Sequence, residues 1–206
     1  MRLISLTLAT LTLFTPEYSL GQSWIEYVNR ADRFSVNLPR DPAVQEFEYE
    51  SEFDAVMPAR RYTLQEGPSH YSVTVVDFTD AQRIHAEMEK TEAATAANQW
   101  INDMRASVIR AAREFRNRGS EVTYDAWGHI DRVEGEQVQL TNPDGTRTFA
   151  GIYLHNQARR LYVLEATVPA AAPPPAQFQQ SLRFLDEQGR RVRYQRDPDG
   201  GAVRIR

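Results

Sequence analysis

The sequence predicts an α+β domain: a mainly antiparallel sheet flanked by helices. Three observations lead there. Apolar and polar residues alternate in short segments between residues 33 and 78; a run without proline or glycine follows from Asp80 to Arg118; and strand-like segments resume from Glu121 to Val168. Strands first, one long helical stretch, then more strands is the order of an α+β chain and not of alternating βαβ units.

Taken in order, Trp24–Val28 reads as a first short strand. In Arg33–Leu38, Phe34, Val36 and Leu38 alternate with polar residues, and Pro39 and Pro42 end the segment because neither can donate to a ladder. Gln45–Asp54 (QEFEYESEFD) sets Phe47, Tyr49 and Phe53 on one side and Glu46, Glu48, Glu50, Glu52 and Asp54 on the other. Only a period of two separates these sets cleanly, so this too is a strand. Arg61–Gln65 returns after Pro58, and Tyr71–Phe78 is rich in β-branched and aromatic residues. Asp80–Arg118 is helical, with a break expected near Thr95; Ile101, Met104, Val108, Ala112 and Phe115 form one apolar stripe. Arginines crowd its C-terminal end, where cations suit the helix dipole, and Gly119 is the expected stop. Glu121–Trp127, Glu136–Thr141 and Thr146–Leu154 are strands, the last two joined by the Asn142-Pro-Asp-Gly145 turn. Leu161–Val168 is apolar enough to be covered on both faces. A stiff AAAPPP connector leads to a short helix, Ala176–Leu185, and an Arg/Asp/Gly-rich tail over 188–206 is expected to be weakly ordered.

With 206 residues, 41% hydrophobic and 25% charged, the chain fits one globular domain that needs no disulfide or metal to fold. It has no cysteine. A formal net charge of −4 argues against nucleic-acid binding, which needs a concentrated basic surface. Lys90 is the only lysine among 24 basic residues, and the arginines are scattered among acids. At the N-terminus, Arg2, the apolar run Leu3–Phe14 and the small residues Ser19 and Gly21 have the layout of a cleavable signal peptide over 1–21. The expectation is a periplasmic or secreted bacterial domain over 22–187, with no transmembrane segment after cleavage.

Several landmarks carry a family resemblance: Trp24 and Tyr27 ahead of Arg33-Phe-Ser-Val-Asn-Leu-Pro39, then Arg61-Tyr62, Arg160-Leu-Tyr-Val-Leu-Glu-Ala166, Phe178 and Ser181-Leu-Arg-Phe184. From about Trp24 to Asp186 the chain resembles exported bacterial members of the PsbP-like superfamily. The resemblance implies an α/β/α sandwich and an accessory or partner-binding role, and it carries over no catalytic residues.

Five sites are candidates. The acidic row Glu46–Asp54 has the oxygen ligands that Ca²⁺ takes, but side chains two apart on a strand stand nearly ~7 Å from one another. A solvated face paired with Arg60 or Arg61 is the plainer reading. Asp125, His129 and Asp131 share one parity, which would suit a metal or a general base oriented by a carboxylate; an exposed polar face is the alternative. His85 and Glu89 are one helical turn apart, a spacing that can hold a metal but equally serves a surface pair. Glu165 interrupts an apolar strand, either as a perturbed acid or as the partner of an arginine. Arg190, Arg191, Arg193 and Arg196 are candidates for an anionic lipid, against a solvated tail. Nucleophile-elbow, P-loop and dinucleotide fingerprints are missing, and no cofactor is implied. The leading expectation is a non-enzymatic exported module that binds a protein or cell-envelope component through its sheet edge or a helix face. The alternatives are a hydrolase or metal-dependent enzyme using His129 with Asp125 or Asp131, and a small-ligand or metal carrier. Oligomeric state is open.

Overall fold

The computed structural model describes residues 24–88, 98–196, 199 and 201–205. The expected signal peptide, Glu89 and the break near Thr95 lie outside them.

The protein is a sheet-rich α+β chain. Its main sheet has seven strands: β3 (Ala43–Glu50), β4 (Val56–Glu66), β5 (Ser69–Asp77), β6 (Glu121–Ile130), β7 (Val133–Thr141), β8 (Arg147–His155) and β9 (Arg160–Val168). They lie in the order β3-β4-β5-β9-β8-β7-β6, and every neighbouring pair is antiparallel. Two meanders thus meet where β5 pairs with β9. Tight turns make each meander: Gly67 at φ 54° closes β4–β5, and Gly145 at φ 82° closes β7–β8. Both conformations are ones that a side chain disfavours.

One face of this sheet is covered by helices α1 (Ala81–Glu87) and α2 (Gln99–Arg116). Met104, Val108, Ala112 and Phe115 of the apolar stripe are buried against Val76, Val138, Ile152 and Leu161, whereas Ile101 is half-buried. Gly119, at φ 77°, follows the helix where the chain turns into β6.

The other face carries a small sheet instead of a helix layer: β1 (Ile25–Asn29), β2 (Phe34–Leu38) and β10 (Arg183–Phe184), with one helical turn, α3 (Ala176–Gln179). Here the structure corrects the expected Ala176–Leu185 helix. Phe178, Leu182 and Leu185 are buried as their spacing predicted. However, Ser181 Oγ accepts the Asn37 N–H at 2.8 Å and Arg183–Phe184 joins the β2 ladder, so a short helix gives way to a strand. The tail expected to be weakly ordered also differs. Val192 is buried in the core, Leu185 bridges Arg191, and β11 (Arg193–Arg196) pairs with β12 (Ala202–Ile205).

A buried carboxylate clamps this second layer to the sheet. Asp32, only 2% exposed, accepts from Arg60 Nη1 at 2.7 Å and from the Tyr62 hydroxyl; its backbone carbonyl accepts from the Tyr162 hydroxyl at 2.9 Å. Burial and this carboxylate together push the Tyr62 phenol well above its ordinary range. Around it Phe34, Tyr62, Tyr162 and Phe184 meet edge to face at centroid distances of 5.1 to 6.1 Å.

The acidic row of β3 lies at one end of the sheet. Glu46, Glu48 and Glu50 are exposed, Phe47 and Tyr49 are half-buried, and Phe53 sits in the following turn. Glu46 pairs with Arg60 at 2.9 Å and Arg61 lies over the Phe47 ring, as a wet hairpin face requires. The partner strand β4 begins at Val56, so it runs through Pro58 instead of starting after it. Because β3 is an edge strand, its aromatics have cover on one flank only. Phe34→Ala should therefore cost about 4 kcal/mol, Phe47→Ala about 1.5 kcal/mol and Glu48→Ala less than about 0.5 kcal/mol in urea unfolding. Equal losses from the two phenylalanine variants would contradict this burial.

Candidate functional site

At the far end of the sheet, β6 and β7 are joined by Asp131 and Arg132, which have φ values of 48° and 65°. Two consecutive left-handed residues make the tight hairpin turn that matches strand twist. Among the described residues nothing pairs with the outer side of β6, which is the terminal strand. A bulge falls between Val122 and Tyr124. Val122, Tyr124 and Trp127 on this strand are 41%, 45% and 68% exposed. The two edges differ in balance: β3 exposes Glu46, Glu48 and Glu50 with one large apolar side chain, Val44, whereas β6 exposes Val122, Tyr124 and Trp127 with two carboxylates, Glu121 and Asp125.

Beside Trp127 a cleft of about 450 Å³ opens between α2, the β6–β7 hairpin and the β8–β9 turn. Val108, Val133 and Leu154 form its buried floor, Ile109 and Trp127 its exposed apolar walls, and Arg105, Arg132 and Glu134 its charged rim. His155 and Tyr194 close one side. His155 Nδ1 accepts the Ala158 N–H at 2.9 Å, so in the neutral ring the proton sits on Nε2. That N–H faces the Tyr194 hydroxyl at 3.1 Å, which in turn donates to Gln157 Oε1 at 2.9 Å. Burial pushes the imidazole down to about 4, helped by the charges of Arg33 and Arg204. His155 is thus a neutral wall of the cleft with both nitrogens engaged. The sequence reading missed it, because a histidine at a strand end has no distinguishing spacing.

The candidates from the sequence are placed separately. Asp125 is held by Arg116 through two bonds of 2.7 and 2.8 Å, and the same guanidinium donates to the buried Glu136. Asp131 takes a forked contact from Arg191 at 2.9 to 3.1 Å. His129 is exposed, stands opposite Glu134 in the ladder and hydrogen-bonds to neither aspartate. With Asp131 it lines a second cleft, of about 570 Å³, that is bordered by Gln137, Gln139, Gln179 and Gln180. The histidine and its two carboxylates are therefore not assembled into one acid–base unit. Glu165 is paired with Arg118 at 2.5 and 3.2 Å, the partner reading of that residue.

His85 points to α2: its Nε2–H donates to Asp103 Oδ2 at 2.8 Å, because a carboxylate only accepts. Asp103 is fully buried and also accepts the Phe53 N–H at 3.2 Å. This pair ties α1, α2 and the β3–β4 turn together. Of the tail arginines, Arg190 pairs with Asp186 and Arg191 with Asp131. Among the described residues no group of three or more His, Cys, Asp or Glu is placed to hold a metal ion, and no helix is long and apolar enough to cross a membrane.

The chain matches no protein-family model, no curated protein and no solved structure.

Two outcomes follow from these ion and proton positions. Arg116→Met leaves the Glu136 carboxylate buried without its counter-ion, which should cost about 3 kcal/mol in urea unfolding; adding Glu136→Gln should restore most of that loss. For His155 the folded value lies below the unfolded one, so the unfolded chain binds the extra proton between about pH 6.5 and 4. Its contribution is complete above pH 6.5 and is lost as pH falls to about 4, a span worth on the order of 3 kcal/mol. His155→Asn, which retains an acceptor near the Ala158 N–H, should flatten the pH dependence of the unfolding midpoint in that window. An unchanged slope would mean that His155 does not titrate this way.

Proposed function

We propose that the protein is an exported, non-enzymatic module that captures a partner protein by adding an extended segment to the outer side of β6. The observation that carries this reading is the asymmetry of the two sheet edges. An edge strand offers a row of open N–H and C=O groups, and proteins that must not pair there guard it with charge. The β3 edge carries three exposed carboxylates, Glu46, Glu48 and Glu50, against one large exposed apolar side chain, Val44; the β6 edge carries Val122, Tyr124 and Trp127 exposed against Glu121 and Asp125, the latter neutralised by Arg116. Strand addition draws affinity from the backbone and selectivity from alternate side chains, which suits such an edge. Export is supported by the leader-like order of Arg2, Leu3–Phe14 and Ser19–Gly21. The PsbP-like arrangement and its partner-binding role remain part of this proposal. They rest on the order of Trp24, Arg33–Pro39, Arg160–Ala166 and Ser181–Phe184, and an antiparallel sheet with layers on both faces is compatible with them.

The experiment compares edges. A photo-crosslinking residue is placed at Val122 or, as the control, at Val44 of the β3 edge, and cross-linked products are recovered from the producing cell. Discrete adducts are expected from position 122 and not from 44, and Tyr124→Lys should abolish them while leaving thermal unfolding unchanged. Equal adducts from both edges, or adducts at 122 that persist with Tyr124→Lys, would reject strand capture at β6.

A further inference from the structure

Arginine in this protein is mostly engaged internally. Arg60, Arg110, Arg113, Arg116, Arg118, Arg160, Arg190, Arg191 and Arg204 all stand in ion pairs. Arg105 and Arg132 depart from this pattern: both are exposed, and among the described residues neither side chain makes a hydrogen bond, an ion pair or a ring contact. They are on different elements, α2 and the β6–β7 turn, yet both line the cleft beside Trp127.

Two free guanidinium groups thus sit at the rim of an apolar recess. Among the described residues Glu134 is the only carboxylate that lines it, and His155 adds no charge near neutral pH because burial holds it neutral. The rim is net cationic, although the whole chain carries a formal −4. A guanidinium recognises carboxylate or phosphate through paired N–H donors, and it does so best beside apolar surface that excludes water. Below the rim, Val108, Val133 and Leu154 offer no polar side-chain atom, and the indole of Trp127 stands exposed along one wall. A volume of about 450 Å³ lies within the roughly 300–1,000 Å³ range of small-molecule sites.

We propose that this cleft binds a single-chain anionic amphiphile, with its apolar chain on Val108, Leu154 and Trp127 and its carboxylate or phosphate head held between Arg105 and Arg132. The occupant is distinct from the segment captured by the outer side of β6, and the two readings stand or fall separately. An uncharged apolar ligand would leave both cations unanswered. A cationic one would be repelled by them. A free inorganic anion would leave the floor and the indole uncovered.

Purified protein is titrated with decanoate, decyl phosphate, decanol and decyltrimethylammonium, each below its micelle concentration, with tryptophan emission and calorimetry as readouts. One equivalent of decanoate or decyl phosphate should bind at least about tenfold more tightly than decanol, with the cation weaker still. Preference for decanoate assigns a fatty carboxylate; preference for decyl phosphate assigns a phosphate-headed lipid. Arg105→Gln combined with Arg132→Gln should remove the anion preference by about tenfold while leaving the weak decanol binding and the unfolding midpoint unchanged. Arg30→Gln combined with Arg193→Gln, which lowers the charge equally at exposed positions that do not line the cleft, should leave anion affinity unaltered. The proposal is overturned if decanol binds as tightly as the better anion, if neither anion binds up to its micelle concentration, or if both double variants behave alike. None of these results bears on cross-linking at Val122.

Discussion

Eight residue pairs between β5 and β9, from His70 with Thr167 to Asp77 with Arg160, join the meander that precedes the helices to the one that follows them. Every other part of the architecture depends on this seam. Val73 and Leu164 pair across it and are buried towards the small sheet; Val76 and Leu161 pair across it and are buried beneath α2. A slip of one residue would exchange the two sets of side chains between faces. The aromatic cluster around Asp32 and the apolar stripe of α2 would then both lose their counterparts. The edges are fixed by the same seam: with β5 and β9 in the middle, β3 and β6 must be the outermost strands.

That placement explains the chemistry at each end. Glutamate suits β3 because its outer side is wet and must stay unpaired, and Arg60 divides its attention between Glu46 outside and Asp32 within. At the opposite end Arg116 gathers Asp125 and the buried Glu136, so these two acids of the β6–β7 hairpin are neutralised near α2. Arg191 does the same for Asp131. Beside the largest exposed aromatic surface among the described residues, Arg105 and Arg132 stand outside any ion pair, with Glu134 the one carboxylate described on their rim.

Local signals in the sequence reported local structure well. The period of two placed Phe47 and Tyr49 opposite Glu46 and Glu48, and the spacing of Met104, Val108, Ala112 and Phe115 identified the buried face of α2. The depth of Phe47 was not legible, because depth depends on whether a strand is central or terminal, and that is set by a pairing some ninety residues distant in the chain. The segment 176–185 misled for a related reason: its apolar spacing fits a helix equally well, and only Ser35, Asn37 and Phe34 decide for the strand. At the candidate sites, the sequence supplied Asp125, Asp131 and Glu165 but not their arginines, which come from α2 and the tail. The cleft itself draws its lining from α2, the β6–β7 hairpin, the β8–β9 turn and the tail, so no single stretch of sequence announces it.

The β5–β9 seam also has a consequence for the order in which the chain can assemble. β3, β4 and β5 can form their meander from local turns alone, but until Arg160–Val168 has been made the inner side of β5 is itself an open edge. It displays Val73, Val75 and Val76, and its single carboxylate, Asp77, stands at the strand's end instead of in a row like that of β3. Closing a contact of such long sequence separation is slow compared with forming a hairpin. The half-made protein therefore has its most adhesive strand exposed at the place where the finished protein is most deeply buried.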